Sequence, residues 1–437
     1  MDYSQTLHYL SSLGNEVLTA KLGLENIHTL LERLGRPDRN LKTIIVAGTN
    51  GKGSVSAMID SILRAAGHRC ALYTSPHLVN IEERIRVGGQ EISSTDFARL
   101  ATEVRQASEY LFQEKQLPTL PTYFEQMTAI ALCYFSESAV EAAVLEVGLG
   151  GRLDATNAVD RILSVVTSID YDHQGLLGNT IFDITNEKAG VIQNGARAVI
   201  GRQRYQIATD VLMRRCLTEK SLPVFANAPT NINFSDTGRM TFDYESATGH
   251  YSRVLLGLRG RHQAENAASA IEAAEVLNEI GIRVTREAIV KGLRQAHWPG
   301  RLELIDDRPA ILLDGAHNPA GARALRAYLE ETCRRHITLI FGAMNDKDID
   351  GMTSELYEVA QSIVLTQIPG MRSASSARLA KSALDTSHNV IFTETVHQAL
   401  SWARSVTPPD GIICVAGSLY LVGEVKRLMA EEDRQPT

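Results

Sequence analysis

Short runs of β-branched and other apolar residues alternate along this chain with longer stretches in which apolar positions recur every three or four residues. The short runs predict strands at Lys42–Ala47, Arg69–Thr74, Ala142–Val147, Ile162–Ser168 and Ala196–Ile200. Between them, the longer spacing predicts helices over Ser54–Ala66, Thr95–Glu114, Tyr123–Phe135 and Ile184–Ile192. Strands that are apolar at nearly every position are buried on both faces. The expectation is therefore a parallel sheet covered by helices on either side.

The texture changes between Asn231 and Leu258. Phe234, Met240, Phe242, Tyr244, Tyr251, Val254 and Leu256 alternate with polar positions around Ser, Thr and Gly breaks, predicting an antiparallel hairpin or small meander. An alanine-rich helix follows (Asn266–Leu277), and Ala296–Arg301, with His-Trp-Pro-Gly at its centre, marks a hinge. The alternation then restarts. Strands are predicted at Ala310–Leu313, Thr338–Phe341, Ser362–Leu365, Val390–Phe392 and Gly411–Ala416. Helices are predicted at Ala320–Thr332, Ser376–Leu384, Val396–Ser405 and Leu419–Ala430, ahead of a polar tail. This is an α/β chain of two domains. Residues 1–298 would carry the larger parallel sheet with its small antiparallel β addition, and residues 299–437 a smaller, Rossmann-like α/β domain.

Composition narrows the class. The 437 residues are 44% hydrophobic and 22% charged, enough to bury two cores. Lys and Arg number 44 against 51 Asp and Glu, and a net charge of −7 argues against a dedicated nucleic-acid binder. No apolar run is long enough to span a membrane, and Met1–Leu10 lacks the basic flank and apolar core of a secretory signal. The five cysteines are scattered and form no Cys-x-x-Cys pair, which fits a reducing cytoplasm and not a zinc ribbon or disulfide framework. A cytoplasmic enzyme or nucleotide switch remains.

The strongest local signal is the predicted strand ending at Ala47, followed by Gly48-Thr49-Asn50-Gly51-Lys52-Gly53-Ser54 and a helix. Such a turn offers successive backbone N–H groups and a helix N-terminus to phosphate. Lys52 can reach terminal phosphates and the Ser54 hydroxyl can meet Mg²⁺. The strict Walker A pattern is broken: Val46 stands at the first glycine's place, and Gly53 separates Lys52 from Ser54. Glu146 lies at the end of another apolar strand, beside Gly148, Gly150 and Gly151, where open α/β sheets bind ligands and a carboxylate suits Mg²⁺. Asp170-Tyr171-Asp172-His173 and Asn186-Glu187-Lys188 form a third cluster. By residue type alone, His173 reads equally as a structural histidine and Lys188 as a solvated helical lysine. Asp314-Gly315-Ala316-His317-Asn318-Pro319 follows a strand of the second domain, and Arg301 at the hinge offers a guanidinium fork to phosphate.

Taken in order with Glu146 through Asn157, Glu187-Lys188-Ala189-Gly190 and Met344-Asn345-Asp346-Lys347-Asp348, these motifs resemble the folylpolyglutamate synthase/dihydrofolate synthase family of the Mur-ligase superfamily, from about Gly23 to Gly417. The resemblance implies an ATP-dependent ligase that forms an acyl phosphate and joins L-glutamate to 7,8-dihydropteroate and to reduced folates, with its active site between two domains. It places ATP on Gly48 to Ser54, Asn266, Arg301, Asp314 and His317. It also places Mg²⁺ on Ser54, Glu146 and His173, and makes Lys52, His173 and Lys188 the catalytic set. Lys188 is a candidate for carbamylation, and a monovalent cation such as K⁺ a possible companion. Ser75, Pro76, His77, Arg84, Phe124 and Asp154 fall on the pterin side, where Phe124 is either a stacking ring or a core aromatic. The implied protein is a cytoplasmic monomer with small-molecule partners only. Three rivals stand beside the bifunctional reading: a synthase restricted to polyglutamylation, another Mur-type ligase, and a nucleotide switch without ligase activity. The switch is disfavoured because no Asn-Lys pair, as in an Asn-Lys-x-Asp base-reading motif, occurs in the chain.

Overall fold

The computed structural model describes residues 1–14, 23–305, 308–333, 335–370, 372–382 and 389–432. The first sheet has eight strands: β1 (Lys42–Ala47), β2 (Cys70–Tyr73), β3 (Ile85–Val87), β4 (Gln90–Glu91), β5 (Ala142–Glu146), β6 (Leu163–Val166), β7 (Arg197–Ile200) and β8 (Pro223–Phe225). They lie in the order β4-β3-β2-β5-β1-β6-β7-β8. Pairing is parallel from β2 to β8, while β3 and β4 add an antiparallel hairpin at one edge. The sheet is thus mixed at its rim and parallel through the middle. β1 and β5 are buried along almost their whole length, as expected for strands covered on both faces. One core layer includes Phe97, Ile130, Leu132 and Phe135 from the helices Ser94–Gln113 and Tyr123–Glu137; the other includes Val55, Ile59 and Ile62 from the helix Lys52–Ala65.

The predicted meander is three antiparallel strands, β9 (Thr230–Phe234), β10 (Met240–Ser246) and β11 (Gly249–Leu256), in the order β11-β10-β9. Met240, Phe242 and Tyr244 point inward on alternate positions and pack, with Val254 and Leu256, on the helix Arg261–Glu279. That helix begins five residues before the predicted Asn266, so Asn266 sits in its second turn. It also buries its alanines against the helix Lys52–Ala65, and the small side chains allow the close approach.

The second sheet has six strands: β12 (Glu303–Ile305), β13 (Ala310–Leu313), β14 (Ile337–Phe341), β15 (Ser362–Thr366), β16 (Asn389–Thr393) and β17 (Ile412–Ala416). Its order is β12-β13-β17-β14-β15-β16, parallel apart from the antiparallel β12 at the edge. Because β13 and β14 flank β17, the loops leaving their C-terminal ends border a crevice of the kind where open α/β sheets hold ligands. The helix predicted at Ser376–Leu384 is described over Ser376–Lys381; its predicted end at Leu384 and the polar tail from 433 onward lie outside the described residues. The C-terminal helix Leu419–Glu432 reaches back to the first half. Gly423 meets the Leu78 carbonyl so closely that a Cβ would collide with it. Among the described residues, no helix is long and apolar enough to cross a membrane.

Candidate active site

Where the C-terminal edges of the two sheets face each other they enclose a cavity of about 380 Å³. One wall is the Gly48–Ser54 loop. Gly51 caps the helix Lys52–Ala65 with φ of +85°, a left-handed turn that favours glycine, and the N–H groups of that helix's first turn have no intrahelical acceptors. Lys52 folds back so that its Nζ donates to the Thr49 carbonyl at 3.2 Å. The Thr49 and Asn50 amides, expected to cradle phosphate, turn instead to the Ser168 carbonyl at 2.9 and 3.3 Å. Of the loop's amides, those of Thr49 and Asn50 are thus already engaged within the protein.

The predicted residues converge on this loop from several elements. Glu146, the last residue of β5, is buried and accepts from the Ser75 amide at 3.2 Å. Lys188, on the helix Ile181–Ala189, is buried and donates to the Gly48 carbonyl at 2.9 Å. Burial and the neighbouring Lys52 push its pKa down to about 7. His173 takes φ of +50°, rare for a side-chain-bearing residue, just ahead of a short helix. Desolvation draws its pKa to about 4, so the ring is neutral at neutral pH. Ser54 accepts from Gln263 Nε2 at 3.1 Å, and Gln263 in turn accepts from Asn266 Nδ2 at 3.0 Å. Gln263 and its neighbour His262 also line the cavity, and sequence reading assigned neither a role. The signal was available: Gln263 lies three residues before Asn266, on the same helix face.

From the second half come Arg301, Asp314, His317, Met344, Lys347, Arg372 and Tyr420. Arg301 packs over Gly315, where a Cβ would strike its guanidinium. Asp314 accepts from the Leu302 and Ala316 amides, both at 2.9 Å, tying the hinge to the end of β13. Lys347 reaches across the cleft, its Nζ 2.7 Å from Asp172 Oδ1 and 3.4 Å from His173 Nε2. The hydrogen bond and charge of His317, with the charge of Lys347, hold the Asp172 carboxyl well below the usual range despite its burial. The motifs containing Lys347 and Asp172 were visible in the sequence, but their contact was not.

On the other side the lining turns more apolar: Pro76, Phe124, Val147, Leu149 and Leu153, with Ser75 and Asp154. The Phe124 ring lies against Gly148, where a Cβ would overlap it, and 5.9 Å from the Tyr73 ring. Asp154 accepts from the Leu149 and Thr156 amides at 3.0 Å each, which shapes its own loop. His77 and Arg84 do not line the cavity. Arg84 Nε donates to His77 Nδ1 at 2.9 Å, and burial beside this guanidinium lowers the His77 pKa to about 3. The pair braces the Ser75–Leu78 loop from behind.

Among the described residues, no three His, Cys, Asp or Glu side chains gather as a ready-made metal cage. Ser54, Glu146 and His173 all line the cavity, and a hydroxyl, a carboxylate and an imidazole suit a cation that keeps waters and phosphate oxygens in its shell.

Residues 46–274 match the Mur ligase middle domain, and residues 300–419 the Mur ligase glutamate ligase domain. The dihydrofolate synthase/folylpolyglutamate synthase of Bacillus subtilis is 36% identical, across 93% of this chain and 95% of that one. The chain belongs to the folylpolyglutamate synthase/dihydrofolate synthase family of Mur ligases. It also aligns at 35% identity, over 98% of its length, with a Haloferax volcanii protein described as "Probable bifunctional folylpolyglutamate synthase/dihydropteroate synthase", and spans half the length of that relative. Among solved structures, the Mycobacterium tuberculosis folylpolyglutamate synthase complexed with ADP superposes with a TM-score of 0.91 at 31% identity, covering 100% of this chain and 99% of that one. The mixed α/β architecture of this chain, a mostly parallel first sheet followed by a second α/β unit, is thus the architecture of the family.

Proposed function

We propose that this chain is a bifunctional ligase that uses ATP to join L-glutamate to 7,8-dihydropteroate and to the γ-carboxyl of reduced folates. The observation that carries the reading is one cavity with two unlike ends. The phosphate loop, Lys52 and the cationic groups of the second half crowd one side, and the flatter surface of Phe124, Pro76 and Leu153 forms the other. A polyanionic nucleotide and a flat heterocycle need those two environments side by side.

In this mechanism the substrate carboxylate attacks the γ-phosphorus of ATP, the bond to the β-γ bridging oxygen breaks, and ADP leaves. The acyl phosphate is then attacked by the amine of glutamate, which loses a proton as phosphate departs. Lys52 and the first-turn amides of its helix face the charge that accumulates on the phosphoryl oxygens. Asn266, Arg301, Asp314 and His317 hold the nucleotide, and Ser75, Pro76 and Phe124 the pterin. Asp154 supports the pterin side by shaping its loop, as do His77 and Arg84 by bracing theirs. Ser54, Glu146 and His173 would hold Mg²⁺, which neutralises phosphate charge when bound. A monovalent cation such as K⁺ would add to the same field. Much of the rate comes from holding acyl phosphate and amine together, and water must be kept out while they meet.

Lys188 is proposed as a carbamylation site, because its buried amine is partly neutral near pH 7 and neutral amines attack carbon dioxide. The domain division is proposed at 298/299, with closure about Trp298–Arg301, and the enzyme as a cytoplasmic monomer. The test is ADP release with MgATP and L-glutamate, given 7,8-dihydropteroate in one reaction and tetrahydrofolate in another, with product masses. Turnover of both is expected. Turnover of tetrahydrofolate alone would restrict the enzyme to polyglutamylation, and folded, ATP-binding protein silent with both would overturn the folate reading.

A further inference from the structure

The Asp172 carboxylate, buried in the first half, is the meeting point of three side chains from the second. Lys347 Nζ lies 2.7 Å from Oδ1. Asn318 Nδ2 and His317 Nε2 each lie 3.5 Å from Oδ2. Its own loop contributes the His173 amide, at 2.9 Å from Oδ1, and the His173 ring, whose Nε2 lies 3.9 Å from Oδ2. His317 and Asn318 belong to the loop leaving β13, and Lys347 to the loop leaving β14, so the carboxylate enters the crevice those two strands frame. A second link runs beside it: Asn318 Nδ2 also donates to Asn50 Oδ1, in the phosphate loop, at 3.0 Å. The Asp172 and Lys347 side chains are 10% and 11% exposed, so this ion pair is shielded from solvent and salt in a way surface pairs are not. Removing either partner leaves the other charge buried.

We propose that Asp172 is a positioning residue that seats the second domain in register over the phosphate loop, with Lys347, His317 and Asn318 as its receiving groups. It touches no reacting atom in this role. By fixing how loops from both sheets approach Lys52, it sets the distance between the nucleotide held by the first half and the groups the second half presents. The proposal deepens the ligase reading and rests on it for its kinetic consequence, though the docking itself does not depend on which acid is ligated.

Two measurements separate the proposal from that reading. The first is small-angle X-ray scattering of the full chain without substrates. Asp172→Asn and Lys347→Met are each expected to enlarge the radius of gyration while keeping wild-type circular dichroism, and Lys347→Arg to restore the compact value. The second is a double-mutant cycle in kcat with saturating substrates. Each single variant should lose about 10²-fold, the scale of a displacement near 1 Å in a reacting site, and the double variant should lose little more than either alone. Scattering indistinguishable from wild type in both single variants, or losses that multiply to about 10⁴-fold, would overturn the docking role. Failure of every protein to ligate folates while the scattering differences persist would overturn only the substrate reading.

Discussion

At Gly51 the backbone turns with φ of +85°, and a Cβ there would collide with the Asn266 carboxamide. A left-handed conformation costs a side-chain-bearing residue roughly 1 kcal/mol, and the collision adds displacement of Asn266, which holds Gln263 and through it Ser54. Gly51→Ala is therefore expected to weaken ADP binding about 10-fold or more with a small loss of melting temperature; calorimetric titration giving wild-type affinity would refute the coupling. Lys188 makes a different kind of prediction. Its pKa of about 7 means the neutral, nucleophilic amine grows as pH rises through 7 and disappears below it. A carbamate signal from isotope-labelled bicarbonate should accordingly strengthen between pH 6 and 8 and be absent in Lys188→Met. A wild-type protein silent at pH 8 would remove Lys188 from that role.

The helix Arg261–Glu279 carries the nucleotide-side residues at one end and a buried acidic turn nearer the other. Tyr244 donates to Glu272 at 2.6 Å, and both Ser246 and Tyr251 donate to Glu275 at 2.8 Å. Burial pushes the Glu272 pKa up to about 7, with Glu275 and Glu279 adding to the rise. The folded chain thus holds a proton that the unfolded chain releases near 4.5, so this group's stabilisation is complete below 4.5 and is lost as pH climbs through 7. Glu272→Gln, which keeps an acceptor for Tyr244, should raise the melting temperature by a few degrees at pH 8 and leave it near wild type at pH 4. Equal melting at both would show that Glu272 is not buried as a charge. This element also shows what the chain made legible. The central strand Lys42–Ala47 was readable residue for residue, because a strand covered on both faces is apolar at most positions, here from Ile44 to Ala47. Ile85–Val87 and Gln90–Glu91 were not, since a short edge hairpin bearing Arg86 and Glu91 carries too few buried positions to leave a pattern. The helix Arg286–Gln295 was missed despite its Thr285 cap, its apolar positions being spread among charges. In the site, the loop and Glu146 announced themselves by motif, whereas Lys188 was pointed to only by the family resemblance. The Lys347–Asp172 contact joins residues 175 positions apart, and no periodicity records such a pairing.

Across the whole molecule the linker is the part that touches both machines. Trp298 lies against Gly53, where a Cβ would meet its indole, and Arg86 stacks 5.7 Å from its ring. The chain's other tryptophan, Trp402, sits on the helix Val396–Val406 and does not line the cavity. Binding of MgADP should shift tryptophan emission, and Trp298→Phe should abolish the shift without abolishing binding. A shift that survives the substitution would mean the linker does not feel the phosphate loop. The clustering of Lys347, His317 and Asn318 on one carboxylate carries a consequence in time as well as in space. A contact that shuts the cleft over its substrates also detains ADP and phosphate once they form, so the residence time of the products follows the rate at which the contact lets go. Large-scale parting of two bodies drags solvent with it, whereas bond rearrangement inside a dry cavity does not. Turnover of the wild-type enzyme should therefore slow in proportion to added viscosogen, and that dependence should vanish in Asp172→Asn, where the chemistry has become the slow step.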